Sequence, residues 1–143
     1  MIMDEFKAEH RQCDSLYAEA ERAVVGGDIE RAEKLFGQFV EETVSHMEHE
    51  ELRVFSRLEA EEQAGLDPIR FEHMQIRALL EKMQQLLAVG DFSTFLGWGE
   101  SFMILMQQHN MKEEQLLYPL CDRLMAEDAE KDGIEIEGCC LRP

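Results

Sequence analysis

The chain repeats itself at one offset of 63 residues: His10 recurs as His73, His46 as His109, Glu50 as Glu113, Glu51 as Glu114 and Phe55 as Tyr118. Four of the five histidines thereby fall into pairs. The same offset joins Gly27-Asp28 to Gly90-Asp91, Leu16 to Leu79 and Phe39 to Phe102, so the register holds at apolar, turn and chemical positions alike. A repeat of this kind describes two copies of one helical hairpin. Set face to face, two such hairpins gather four imidazoles and two carboxylates about a pseudo-two-fold axis, the ligand set of a dinuclear metal site.

With 143 residues, 45% of them hydrophobic, the chain fits one domain with a single core. It is rich in helix formers, and proline is confined to Pro68, Pro119 and Pro143, so an all-helical protein is expected. A formal charge of −17 argues against nucleic acid, whose affinity comes from Lys and Arg neutralising phosphates, and against anionic lipid. A solvated acidic shell is the plain reading of that charge. No basic-then-apolar leader is evident at Met1, and no run of about 18 apolar residues is present to span a bilayer. Cys13, Cys121, Cys139 and Cys140 lack zinc-ribbon spacing. The expected compartment is the cytoplasm.

Apolar periodicity and caps divide the chain into four helices. The first is expected from a cap near Asp4 to about Val25, where Gly26-Gly27 stops it; Asp28 then caps a second that reaches about Ala60. Gly65-Leu66-Asp67-Pro68 ends that helix and starts a third, with Asp67 as cap and Pro68 in the first turn, running to about Val89. Asp91 caps the fourth, which Pro119 should kink or restart. Residues 1–128 form the bundle and 129–143 a tail. At about 1.5 Å per residue, His10 and His46 both lie roughly 23 to 27 Å from the first turn, and His73 and His109 are similarly matched about the second. The expected architecture is an up-down-up-down antiparallel four-helix bundle with its site nearer the middle connection.

Residues four apart share a helix face, so His46 with Glu50, and His109 with Glu113, each point two candidate ligands inward. Adding His10 and His73 gives an N4O2 set, which suits iron, manganese or zinc. Burying Glu50 and Glu113 in a core costs several kcal/mol per charge unless cations compensate. Two divalent ions answer that requirement.

At these residues the sequence resembles the hemerythrin-like, or HHE cation-binding, family of non-haem di-iron four-helix bundles. The resemblance covers the chain up to about Met125 and is strongest at His46-x3-Glu50-Glu51-x3-Phe55 and His109-x3-Glu113-Glu114-x3-Tyr118-Pro119. It implies His10, His46, His73 and His109 as terminal ligands of two iron ions, Glu50 and Glu113 as bridging carboxylates, and an oxo or hydroxo bridge between the irons. The oxygen-carrying members have a second histidine four residues on in the third helix, where this chain has Arg77. His49 is the one spare imidazole, either a seventh ligand or a rim residue, and its equivalent is Lys112. Asp14, equivalent to Arg77, is a ligand, a partner that orients a ligand, or half of an Asp14–Arg77 ion pair, with the last two roles preferred.

Tyr17 and Tyr118 are either phenolic donors near the site or core packing, the latter favoured. Cys13 and Cys121 read as apolar filler, and Met47, Met74, Met103, Met106 and Met111 as core. The vicinal Cys139-Cys140 pair reads as part of a solvated tail.

The function expected is therefore a cytoplasmic di-iron protein, monomer or homodimer, that binds or senses O2, NO or peroxide, with Arg77 favouring sensing or stress defence over oxygen carriage. Iron storage of the ferroxidase kind, or iron donation for repair, is the alternative. A metal-free or zinc-bound structural bundle is a third possibility.

Overall fold

The computed structural model describes residues 1–131, apart from the side chains of residues 60–64. Cys139 and Cys140 lie outside the described residues. Helices α1 (Ile2–Val25), α2 (Ile29–Glu50), α3 (Ser56–Ala88), α4 (Phe92–Lys112) and α5 (Tyr118–Lys131) account for nearly all of it. Two π-helical turns, Glu51–Phe55 and Glu113–Leu117, join α2 to α3 and α4 to α5. No strand occurs among the described residues, and α5 prolongs α4, so the architecture is that of a four-helix bundle.

The two tight turns follow from glycine and aspartate. Gly27 and Gly90 take φ of +79° and +80°, a region open to glycine at little cost, and the aspartate after each caps the next helix. The Asp28 carboxylate accepts from the Arg31 backbone N–H and Asp91 from that of Thr94, both at 3.3 Å. The start of α1 is different. It begins at Ile2 rather than near Asp4, because a carboxylate from the far end of the chain serves it: Asp122 of α5 accepts from the backbone N–H groups of Ile2 at 2.9 Å and Met3 at 3.2 Å.

The break expected at Gly65–Pro68 does not interrupt the helical backbone; α3 is helical from Ser56 to Ala88 with Pro68 inside. It is not a straight rod. Arg70 pairs with Glu59, 11 positions earlier, which a straight helix would hold about 16 Å away, and the Phe55 ring stacks on His73 with centroids 5.3 Å apart. The chain therefore bends back between Glu59 and Arg70, where Pro68 has no N–H to lose. Helix α5 runs to Lys131, with Ala129 buried.

Along α1 and the stretch from α2 into the first π turn, residue numbers rise on one side as they fall on the other. Glu5 and Glu9 of α1 meet Arg53 and His46, while Tyr17 meets Phe39. Glu72 of α3 meets His109, and α1 meets the last helices through His10–Glu114 and Asp14–Gln107. Two apolar clusters fill the interior. One, with Tyr17, Phe36, Phe39, Phe95 and Phe102, lies toward the glycine turns; the other, with Ile2, Phe6, Phe55, Leu58, Leu66 and Tyr118, lies toward the bend in α3 and the start of the chain. Each paired histidine falls between residues of the two clusters along its own helix. The first cluster depends on a close approach: a Cβ on Gly99 would stand 1.9 Å from the Tyr17 hydroxyl.

Cys13 and Cys121 are buried and unbridged, as apolar filler requires, with burial pushing the Cys13 thiol up to about 11. The methionines divide. Met47, Met83 and Met106 are core, whereas Met74 and Met111 are exposed, contrary to the expectation that they fill the interior. No helix among the described residues is long and apolar enough to cross a membrane.

Candidate metal centre

All six residues expected to converge do so. His10, His46, Glu50 and Glu113 form one group and Glu50, His73, His109 and Glu113 a second, the candidate ligand atoms within each group lying within 4.8 Å of one another. Each of the six is at most 7% exposed, and Glu50, His73 and Glu113 are fully buried. The two carboxylates belong to both groups. Glu113 directs Oε1 at His10 Nε2 (3.1 Å) and Oε2 at His109 Nε2 (3.0 Å) and His73 Nε2 (3.3 Å). Glu50 Oε1 stands 3.3 Å from both His46 Nε2 and His73 Nε2.

Each histidine is oriented from behind. Nδ1 of His10 meets Glu114 at 2.6 Å, His46 meets Glu9 at 2.6 Å, His73 meets Glu51 at 2.7 Å and His109 meets Glu72 at 2.8 Å. A carboxylate has no proton to give, so Nδ1 carries the hydrogen and Nε2 faces the centre. That is how metal-binding imidazoles are usually held. Glu51 and Glu114 were singled out in the sequence, but Glu9 and Glu72 were not. Their signal was the same 63-residue offset, one position before His10 and His73, hidden among many other acidic residues.

Both π turns start at the residue after Glu50 or at Glu113 itself. Widening the helix there alters the spacing between the inward glutamate and the next aromatic residue, a device common at functional sites. The aromatic pair lands on the site walls. Phe55 lies parallel to His73, while the Tyr118 hydroxyl enters the centre: it donates to Glu50 Oε2 and lies 3.0 Å from Glu113 Oε1 and 3.1 Å from His10 Nε2. The packing reading of Tyr118 is thus corrected; Tyr17 stays in the apolar cluster, with its hydroxyl buried and unpartnered.

The other candidates fall outside the two groups. His49 packs against Phe6, and its Nδ1 lies 3.3 Å from Glu9 Oε2. With Glu5 and Glu9 it makes a third, half-buried cluster, in which the Arg53 guanidinium, 3.0 Å from both Glu5 and His49, already supplies positive charge. The Asp14–Arg77 ion pair does not form. Arg77 is bidentate to Glu51 at 2.9 and 3.1 Å, and Asp14 accepts from Gln107 at 3.3 Å. Arg77 therefore reaches the site through Glu51 and His73.

Electrostatics follow the geometry. Burial alone would lower the His46 and His73 pKa values, but Glu50 and Glu113 overcome it and both are raised to about 10. His109 is raised in the same way. Burial would raise Glu113; its hydrogen bonds to His10, His109 and His73 hold it well below the ordinary carboxylate range. Protons thus do the work of cations when both nitrogens of an imidazole face carboxylates.

The donor set fits two metal ions. Glu50 Oε1 is fully buried, flanked by two imidazoles and without a hydrogen-bond partner, an arrangement that a cation shared between the groups satisfies. A surface groove of about 580 Å³ between α1 and α2 is lined by Glu9, Gln12, Glu42, Ser45, His46 and His49, so that of the six central residues it borders His46.

The family model described as the Hemerythrin HHE cation binding domain matches residues 1–121 of the chain. No curated protein and no solved structure matches it.

Proposed function

We propose that this chain, which belongs to the hemerythrin HHE cation-binding domain family, is a non-haem di-iron protein that binds or senses a small oxidant or diatomic: O2, NO or peroxide. On this reading the fold is an up-down-up-down bundle of two repeated hairpins. His10 and His46 would hold one ion and His73 and His109 the other, with Glu50 and Glu113, which belong to both groups, shared between them.

The observation that carries the reading is the sharing of two fully buried carboxylates by two groups of imidazoles, with Glu50 Oε1 left unpartnered between them. Bound iron supplies redox electrons and a coordination place for a small ligand; manganese or zinc suits the same donors and is the rival for the site. The chain's own groups do the rest. Four outer carboxylates hold each Nδ1–H so that Nε2 is presented inward, and the apolar clusters on either side keep bulk water away. Arg77 at the position of a further histidine leaves the set at four imidazoles, which favours sensing or stress defence over oxygen carriage. The cytoplasm is the compartment proposed, with the chain as monomer or homodimer.

Metal analysis with an optical spectrum of aerobically purified protein tests this. About two irons per chain, with visible absorption that shifts on adding azide, NO or peroxide, is the expected result. Zinc alone, no bound transition metal, or iron accumulating well beyond two per chain would overturn it.

A further inference from the structure

The repeat that pairs every candidate ligand pairs Tyr118 with Phe55, and the two side chains treat the centre differently. Both are fully buried. Phe55 lays a carbon face against His73, with an interplanar angle of 21°. Tyr118 comes from α5 with its oxygen among four other polar atoms: Glu50 Oε2, Glu113 Oε1 at 3.0 Å, His10 Nε2 at 3.1 Å and His46 Nε2 at 3.5 Å. Three of those residues, with Glu50, make up the first of the two groups. None of the phenol's hydrogen bonds is to His73 or His109.

A phenol has one hydrogen to donate, and Glu50 takes it. Glu113 Oε1, an acceptor like Glu50, competes for that hydrogen, and the phenol oxygen also sits beside the Nε2 atoms of His10 and His46, the same atoms that face the centre. An oxygen packed among converging donors is placed as a donor itself. From this geometry we infer that Tyr118 is a fifth protein donor to the ion held by His10 and His46, making the two ion positions chemically inequivalent. The second position has its two imidazoles and the shared carboxylates, and a hydrocarbon wall where the phenol would be. On ligating a ferric ion the phenolic proton passes to solvent, and the Glu50 oxygen that accepted it turns to the cation.

The inference rests on the di-iron reading above, and its test separates the two. Oxidised, iron-loaded full-length protein is examined by metal analysis, visible absorption and resonance Raman. The expected result is about two irons per chain together with a phenolate-to-iron charge-transfer band and enhanced tyrosine ring modes, which shift when the protein is grown on ring-deuterated tyrosine. The chain has two tyrosines, Tyr17 and Tyr118, so one variant at each assigns the band. Tyr118→Phe, which installs the residue its repeat partner already carries, should abolish the band at unchanged iron content; Tyr17→Phe should leave it intact. Two irons in the wild-type protein with no phenolate signature, or a band that survives Tyr118→Phe, overturns the inference and leaves the di-iron reading standing. A chain that takes up no iron overturns both. Should Tyr118→Phe fail to fold, Tyr17→Phe decides: a band with its isotope shift retained there belongs to Tyr118, and its loss overturns the inference.

Discussion

Behind His46, Glu9 accepts from Nδ1 with one oxygen and meets the His49 ring with the other; behind His109, Glu72 accepts from Nδ1 with one oxygen and from the Lys112 ammonium with the other. Every member of the second arrangement stands 63 positions after its counterpart. The inner group, the acid that orients it and a nitrogen partner for that acid's second oxygen are duplicated, while the chemical form of that partner is not. A similar gradient runs through the other pair of acids. Glu51 and Glu114 both orient a histidine from the other half of the sequence, yet only Glu51 is clamped by an arginine, with the 63-residue equivalent of Arg77 being Asp14. The π turns repeat too, with different support. In the first, the Ser56 hydroxyl donates to the Leu52 carbonyl; in the second the equivalent residue is Pro119, which has no N–H to offer. Sameness is strict at atoms touching an Nδ1 and relaxes one contact further out. Tyr118 is the exception, since it breaks the repeat at the centre itself.

The largest expected effect comes from removing a group that belongs to both halves. Glu113→Gln keeps the shape and deletes a charge that faces His10, His73 and His109. Metal analysis should fall from about two ions per chain to below one, because neither position retains its carboxylate set. Retention of both ions would show that the two groups do not share Glu113 and would break the comparison outright.

Protons offer a second way in. In ion-free protein His46 and His73 have pKa values raised from 6.5 to about 10, so the folded state binds more protons than the unfolded one between those values. Their contribution is fully present below about pH 6.5 and is lost as pH rises through about 10. Glu113, held well below 4.5, acts on the acid side, where its contribution disappears only as pH falls through that low range. Thermal unfolding of chelator-treated protein should therefore show stability declining from pH 6.5 toward 10, by on the order of a few kcal/mol. Metal-loaded protein should show a flatter profile, because ligated imidazoles carry no second proton to lose. Parallel profiles for the two forms would mean that the ions bind elsewhere.

The six central residues, both glycine turns and both aspartate caps were legible in the sequence because each depends on local spacing. A helix period puts His46 above Glu50, and only glycine readily takes the positive φ at positions 27 and 90. What escaped depends on which helices become neighbours. Asp122 caps α1 from 120 positions away, Arg77 turns to Glu51 instead of Asp14, and helical backbone carries through the stretch around Pro68 that looked like a loop. Tyr118 was visible as an aromatic residue on a buried stripe, and burial was forecast correctly. The direction of its hydroxyl was not, since the π turn that re-aims it has no local signature that distinguishes it from ordinary helix.

The smallest effect expected is also the most discriminating between the halves. Arg77 and Glu51 are each about a third exposed, so their ion pair is partly screened and adds little to stability by itself. Its influence runs through orientation: the guanidinium fixes both oxygens of Glu51, and one of those oxygens holds His73 Nδ1 at 2.7 Å. Arg77→Leu should leave unfolding within about 1 kcal/mol of wild type while weakening one of the two ions by less than about tenfold, a loss seen as one phase of a chelator competition moving alone. Asp14→Leu, the same change at the repeat-equivalent position, should move neither phase, because Asp14 contacts Gln107 and no acid behind a histidine. If both variants shift the same phase, or neither does, the arginine clamp is a surface contact and the asymmetry of the centre rests on Tyr118 alone.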